Sequence, residues 1–377
     1  MHAGCSGGSV GWDLLLTVAK TIVPLDLAGS TRETGKTPMM SEANQGAPRG
    51  LGPLDVSGGG DSSTRWGSGV SESSPVTASG AALPPKPPMI PDHTLLRLIG
   101  RGSYGEVWLA KNLAGAFRAV KLVYQSRFED SKPFEREFHG ILRYEPLSRT
   151  HDSQVDILHV GQQEAAGFFF YVMELADDQE TGQEIQPETY RPRTLRSEIH
   201  RRERLPLDEC LRIGLSLATA LGHLHRNGLV HRDVKPSNII FINGIPKLAD
   251  VGLIADTEDT QSFVGTEGFL PPEGPGQPQA DLYALGKVLY EIGFGMDRKA
   301  FPELPTEFRQ FTEQKGLLEL NEIILKACHP DPRQRYQTAE ELHADLALIQ
   351  GGKSLIVARN LERHLAVADP GHSYFSK

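Results

Sequence analysis

His231-Arg232-Asp233-Val234-Lys235-Pro236-Ser237-Asn238 is a polar stretch set between two apolar ones. Residues 211–224 precede it, and Ile239-Ile240-Phe241-Ile242 follows. The pattern predicts a buried helix, a loop and a buried strand. Polar groups in such a place cost free energy unless they are paired or do chemistry. Asp233 supplies a carboxylate that can accept a proton, Lys235 a cation for a phosphate, and Asn238 an amide oxygen for a metal ion. Phosphoryl transfer needs that inventory, because its catalysis rests on positioning and charge neutralisation.

The chain has 377 residues, 39% of them hydrophobic, which suffices for one large domain or two smaller ones. Its formal net charge of -9 argues against nucleic acid as the main partner. Cys5, Cys210 and Cys328 show neither metal-site spacing nor a disulfide framework, which fits a reducing compartment. The most apolar early run, 10–28, is broken by Asp13, Lys20, Pro24 and Asp26, so no membrane span is expected. No Lys or Arg precedes Leu14, so a signal peptide is not expected either, and the expected location is cytoplasmic.

Residues 1–90 are rich in Gly, Ser, Pro and Thr, with Gly58-Gly59-Gly60 and Pro84-Pro85-Lys86-Pro87-Pro88 as the extremes. Such a composition buries too little apolar surface to offset chain entropy, so a disordered arm is predicted. Its proline cluster suits a stiff spacer or a partner that binds proline-rich segments. Order is predicted from Leu95 onward. A strand through Leu96, Leu98 and Ile99 leads into Gly100-Arg101-Gly102-Ser103-Tyr104-Gly105-Glu106-Val107. A dinucleotide fold needs a helix to open at the third glycine. Here Val107, Leu109 and then Gly115 read instead as strand and turn. A glycine-rich hairpin lets backbone amides approach phosphates closely.

The strand Phe117-Arg118-Ala119-Val120-Lys121 follows, with Lys121 at its end. Residues 132–144 are predicted helical, with Phe134, Phe138, Ile141 and Leu142 on one side. Segments 156–160 and 168–175 read as a strand pair, the second buried because it is nearly all apolar. An acidic and polar insertion, 177–193, is expected on the surface without chemistry. A helix from Leu195 and a mostly apolar helix over 207–227 then lead to the opening loop. Beyond that loop, Asn243-Gly244 closes a hairpin. Asp250-Val251-Gly252 comes next, and 253–268 is polar, with Thr257, Thr260, Ser262 and Thr266. Asp281 opens another buried helix, and Thr338-Ala339-Glu340-Glu341 forms a capping box for a final helix ending near Ile349. Residues 350–377 show no clear pattern.

Taken in order, these motifs resemble those of the protein kinase family over residues 95–349. The resemblance implies an α+β, bilobal fold: a small β-rich lobe at about 95–173 and a larger helical lobe at about 177–349. Residues 350–377 would be a C-terminal tail. ATP would lie between the lobes, bounded by Gly100, Gly102, Gly105, Val107, Ala119, Met173 and Ile240. Lys121 would bind its α and β phosphates while paired with a helical glutamate, Glu137, with Glu135 as runner-up. Asp233 would orient the acceptor hydroxyl and take its proton, and Lys235 would neutralise the transferred group. Asn238 and Asp250 would hold Mg²⁺. Arg335, in Asp331-Pro332-Arg333-Gln334-Arg335, would pair with Glu273 of Pro271-Pro272-Glu273. Val251 departs from the phenylalanine of the family's Asp-Phe-Gly and predicts looser packing behind Asp250.

Lys235 followed by Pro236 resembles the serine/threonine branch, and the compact form with its 177–193 insertion resembles bacterial members. The implied function is transfer of the γ-phosphoryl group of ATP to Ser/Thr hydroxyls of protein substrates, the chain itself included. Two other readings share the inventory. A pseudokinase that acts by docking partners is favoured by Val251 alone. A small-molecule phosphotransferase is opposed by Thr266 and Pro271-Pro272-Glu273, the region where protein kinases dock peptides. For control, a phosphate on Thr260 or Ser262 would pair with Arg232 and order its segment, unless Glu258 or Asp259 already fills that role.

Overall fold

The structure, a computed structural model, describes residues 87–102, 105–250, 255–256 and 265–368, without the side chains of 255–256 and 362–368. The arm up to residue 86, with Cys5, lies outside the described residues.

Strands β1 (His93–Arg101), β2 (Gly105–Asn112), β3 (Phe117–Tyr124), β4 (Ile157–Gln163) and β5 (Phe168–Met173) form a five-stranded sheet in the order β1-β2-β3-β5-β4. All its pairings are antiparallel. Alternation along β5 explains its unbroken apolar run. Phe168, Phe170 and Val172 pack on one face with Ile90, Ala110, Val120 and Leu122. Phe169 and Tyr171 point the other way, into a cluster with Phe134, Ile141 and Tyr144. A strand covered on both faces carries no polar alternation. Ile90 belongs to the packed core, so order starts several residues before the expected Leu95.

Helix α1 (Ser131–Ser148) supplies the second cluster. It runs one turn beyond the predicted 132–144, because its end is tied to the segment that leads into β4. The Tyr144 hydroxyl donates to the Val155 carbonyl at 3.2 Å, and Ser148 Oγ accepts the Ile157 amide at 3.0 Å. Leu142, expected on the apolar side, is exposed; the buried stripe runs through Phe134, Glu137, Ile141 and Tyr144 instead. A helix stripe is wide enough for the sequence to misplace its margin.

The helical part contains α2 (Leu195–Arg202), α3 (Leu207–Arg226), α4 (Pro278–Phe294), α5 (Gln314–Ala327), α6 (Ala339–Gln350) and α7 (Leu355–Ala368). At its centre is α3, whose Ile213, Leu217, Leu221 and Leu224 are buried. Gly214 lets it close on its neighbours: a Cβ there would meet Leu346 and Leu289 side chains at 3.0 and 3.1 Å. Four short strands, β6 (Leu229–Val230), β7 (Ile239–Ile242), β8 (Ile245–Leu248) and β9 (Ala255–Asp256), pair as β6-β9 and β7-β8 around the 231–238 loop. Asn243 and Gly244 turn the β7-β8 hairpin with φ of 53° and 73°, as a tight primed turn requires.

Helix α7 departs from the expectation of a patternless tail. Its first residue, Leu355, is fully buried, and the Glu319 carboxylate of α5 accepts the Leu355 amide at 3.1 Å and the Ser354 hydroxyl at 2.8 Å. The cap comes from another helix, so no local motif announces it. Thr338 does cap α6 through the Glu341 amide, while Glu341 reaches back to the amide of Gln337. No helix among the described residues is long and apolar enough to cross a membrane.

Candidate active site

A cavity of about 680 Å³ opens between the five-stranded sheet and the helical part. Gly100, Gly102, Gly105, Val107, Ala119, Lys121, Glu137 and Met173 line it from one side, and Asp233, Lys235, Asn238, Ile240 and Asp250 from the other. The fold therefore brings together all the expected nucleotide, catalytic and metal positions. Gly105 is required by space: a Cβ there would lie 2.3 Å from the Leu122 carbonyl oxygen. Ser103 and Tyr104 of the glycine loop, Val251 and Gly252, and Thr257, Glu258, Asp259, Thr260 and Ser262 lie outside the described residues.

Lys121 is not at the end of its strand, as expected, but inside β3, opposite Val107 of β2 and Tyr171 of β5. From there Nζ lies 2.6 Å from Asp250 Oδ1 and 3.5 Å from Glu137 Oε1. Burial alone would lower the Lys121 pKa, but Asp250, Tyr171 and Glu137 outweigh it and hold the ammonium well above its usual value. Burial likewise opposes ionisation of Asp250, and Lys121 reverses that, so its pKa is lowered. Glu137 stays raised, because burial exceeds the help from Lys121. The Asp250 side chain keeps 44% of its surface open; that surface faces the cavity, deep in the molecule. Glu135, the alternative partner, is exposed.

The loop 231–238 is held from below by α4. Asp281, fully buried, accepts the His231 and Arg232 amides, both at 2.8 Å, and faces His225 Nε2 at 2.9 Å. Burial would raise its pKa, but these bonds lower it. Arg232 is thereby kept at φ 68°, and Asp250 stands at φ 60°. Non-glycine residues tolerate that region only where their surroundings fix them. Ahead of it, Asp233 meets three donors. Thr266 Oγ1 donates to Oδ1 at 2.8 Å, while Lys235 Nζ and Asn238 Nδ2 donate to Oδ2 at 2.6 and 2.9 Å. Lys235 also donates to Thr266 at 2.8 Å. Asn238 spends its amide N–H groups on Asp233, which leaves its Oδ1 as the acceptor beside Ser237 Oγ. Its backbone carbonyl takes the amide of Ala249, the residue before Asp250, at 2.8 Å.

The 177–193 insertion is not the bare surface feature expected. Asp177, Asp178 and Tyr190 are buried. Asp177 accepts the Asn243 and Gly244 amides, each at 2.9 Å. Asp178 accepts the amides of Glu180, Thr181 and Arg191. The Tyr190 hydroxyl donates to the Ala176 carbonyl at 3.0 Å, and Tyr190, Pro192 and Thr194 line the cavity. Asp-Asp followed by Thr-Gly is an available turn signal; a lone tyrosine in a polar run gave no hint of which wall it joins. Farther down, Arg335 makes the expected two-pronged pair with Glu273, with one contact at 3.0 Å.

Residues 93–346 match the protein kinase domain, and the chain belongs to that family. It is similar to a probable serine/threonine-protein kinase of Clostridium perfringens, 28% identical over 71% of this chain and 39% of that protein. The serine/threonine-protein kinase PrkC of Bacillus subtilis is 27% identical over 67% of this chain and 40% of its own length. PknB of Mycobacterium leprae, also a serine/threonine-protein kinase, is 29% identical over 71% and 44%. The chain thus spans less than half the length of these relatives.

Proposed function

We propose that this chain is a protein serine/threonine kinase that transfers the γ-phosphoryl group of ATP to hydroxyls of proteins, its own included. The observation that carries the reading is Asp233, whose two oxygens are held by Thr266, Lys235 and Asn238 in the wall of the cavity that Lys121 and Asp250 also line. In this reading the acceptor hydroxyl donates its proton to Asp233 as its oxygen attacks the γ-phosphorus and the bond to ADP breaks. Lys235, between Asp233 and Thr266, places its charge where the transferred group passes. Lys121 binds the α and β phosphates, and Glu137 holds it there. Val107, Ala119, Met173 and Ile240 supply apolar walls for the base.

Asn238 Oδ1 and the Asp250 carboxylate are hard oxygen donors of residues that line one cavity, which suits Mg²⁺. When bound, that ion neutralises phosphate charge. Among the described residues no group of three or more His, Cys, Asp or Glu is placed to hold a metal, so a cation here would share its shell with phosphate oxygens and water. The domain is proposed to run to about 349 as expected but to start by Ile90 rather than Leu95, since Ile90 packs in the core, which shortens the proposed arm to the residues before it. Phosphate on Thr260 or Ser262 is proposed as its control, to be sought by mass spectrometry of ATP-treated protein.

The test is phosphoryl transfer from labelled ATP to generic protein acceptors, with Asp233→Asn as control. Label on protein that vanishes in the variant supports the reading. Nucleotide binding without transfer would favour the pseudokinase, and label only on metabolite acceptors the small-molecule enzyme.

A further inference from the structure

We propose that Arg298, held by Glu291 of α4, is a positioning residue that keeps the Thr266 hydroxyl on Asp233 and Lys235; the proposal rests on the reading of Asp233 as the group that meets the acceptor hydroxyl. Arg298 opens the short turn Arg298–Ala300 that follows α4. Its Nε donates to the Glu267 carbonyl at 3.1 Å, and its Nη1 to Glu291 Oε1, also at 3.1 Å. The guanidinium lies over the Phe269 ring, 4.6 Å from its centroid. The residue between these two contacts is close as well: a Cβ on Gly268 would lie 2.8 Å from Arg298 Nε. One side chain thus meets Glu267, Gly268 and Phe269, the residues that follow Thr266.

Thr266 has an exacting task. Its hydroxyl donates to Asp233 and accepts from Lys235, both at 2.8 Å, so one oxygen must satisfy two partners at once. The Phe269 amide donates to the Thr266 carbonyl at 3.1 Å, which closes 266–269 into a single turn. A shift of that turn would carry the hydroxyl off both partners. Arg298 ties the turn to α4. Glu291 is buried, and its Oε1 also accepts the Arg298 amide at 3.3 Å, while Lys287 Nζ donates to the Arg298 carbonyl at 3.2 Å. The same helix carries Asp281, which holds the His231 and Arg232 amides. Helix α4 therefore fixes both sides of the contact between Asp233 and Thr266. The Arg298 side chain is mostly buried, so its charge-assisted bonds meet little competition from water. The neighbouring pair of Lys299 and Glu267, 3.0 Å apart, is exposed on both sides and contributes little. A carbonyl and a carboxylate taken by two different nitrogens need the rigid guanidinium; a lysine has the charge without that geometry.

The experiment separates catalysis from nucleotide binding. Label transfer from ATP, to casein and to the chain itself, gives kcat and KM for ATP, and calorimetry gives the ATP dissociation constant. Both are measured on the full chain and on Arg298→Ala, Arg298→Lys, Thr266→Ala, Arg298→Ala/Thr266→Ala and Lys299→Ala. Arg298→Ala is expected to lower kcat about tenfold, through a displaced Thr266. KM and Kd for ATP should change less than about twofold, because the lost interaction is made around the acceptor and not around the nucleotide. Arg298→Lys should recover only part of kcat. The double variant should lose no more than Thr266→Ala, since Arg298 acts through that hydroxyl. Lys299→Ala should keep kcat within about twofold. Full kcat in Arg298→Ala, an equal loss of ATP binding, additive losses in the double variant, or an equal loss in Lys299→Ala each overturns the positioning role. If Arg298→Ala does not fold, Arg298→Lys must show the loss of kcat with ATP binding retained, and its absence overturns the proposal equally. A wild-type chain that labels neither casein nor itself overturns the kinase reading, and the role of Arg298 with it.

Discussion

Replacing Asp281 tests how the 231–238 loop is held. Its carboxylate is almost fully buried and serves three groups, the His231 and Arg232 amides and the His225 ring. Hydrogen bonds to a charged group contribute about 1.5–3 kcal/mol each, and a buried amide left unpaired costs about 1–3 kcal/mol. Asp281→Asn keeps the shape and one acceptor oxygen but turns an NH₂ toward a donor, so a loss of about 2–3 kcal/mol is expected. Asp281→Ala strands all three partners, and the loss should reach about 4–6 kcal/mol. Domains have only about 5–15 kcal/mol in total, so the alanine variant should be marginal at best.

For a domain of this size, Asp281→Asn should lower Tm by about 5–10 °C. Without the bond from its amide to Asp281, Arg232 loses a contact that helps keep it at φ 68°. Asp233, next in the chain, would then shift, and a displacement of about 1 Å can cost about a hundredfold in rate. The pH dependence has a definite sign. The folded pKa lies below the ordinary 3.8, so the contribution is complete above that value and disappears as pH falls through the folded pKa. Urea denaturation should show a constant gap between wild type and variant from pH 8 to about pH 5, closing only in stronger acid. An Asp281→Asn protein within about 0.5 kcal/mol of wild type and with full kcat would refute the reasoning.

Lys121→Met, Asp233→Asn and Asp250→Asn are each expected to reduce phosphoryl transfer at least about a hundredfold without loss of folding; a folded Asp250→Asn protein of normal turnover would remove Asp250 from the metal site. Deleting 1–88 should leave rate and Tm unchanged, whereas Ile90→Ala, which opens the cluster on the outer face of the sheet, should cost about 2 kcal/mol in chemical denaturation. His151 and His223 lie 5.5 Å apart, and burial lowers both pKa values from 6.5. The unfolded chain therefore binds protons at these sites first, and stability should fall as pH drops below about 6.5. A His151→Gln/His223→Gln variant should show a flatter profile between pH 7 and 5, and an unchanged slope would discount the pair.

What the sequence alone determined is what lies within a few residues or one period. Asp233, Lys235 and Asn238 share a single loop, and Asn243-Gly244 carries its own turn geometry. The apolar run of β5 declares burial, because a strand covered on both faces has no polar alternation. Only the tertiary structure decided which partners meet across the chain. Lys121 finds Asp250 across 129 positions, and Asp281 catches the amides of His231 and Arg232 across 50 and 49. Tyr190 joins the cavity wall because its hydroxyl finds the Ala176 carbonyl, and α7 starts where a carboxylate of α5 caps it. Periodicity tells a residue which face it occupies. It does not say what covers that face, or which distant polar group satisfies a buried amide, since those pairings follow from the packing of whole elements.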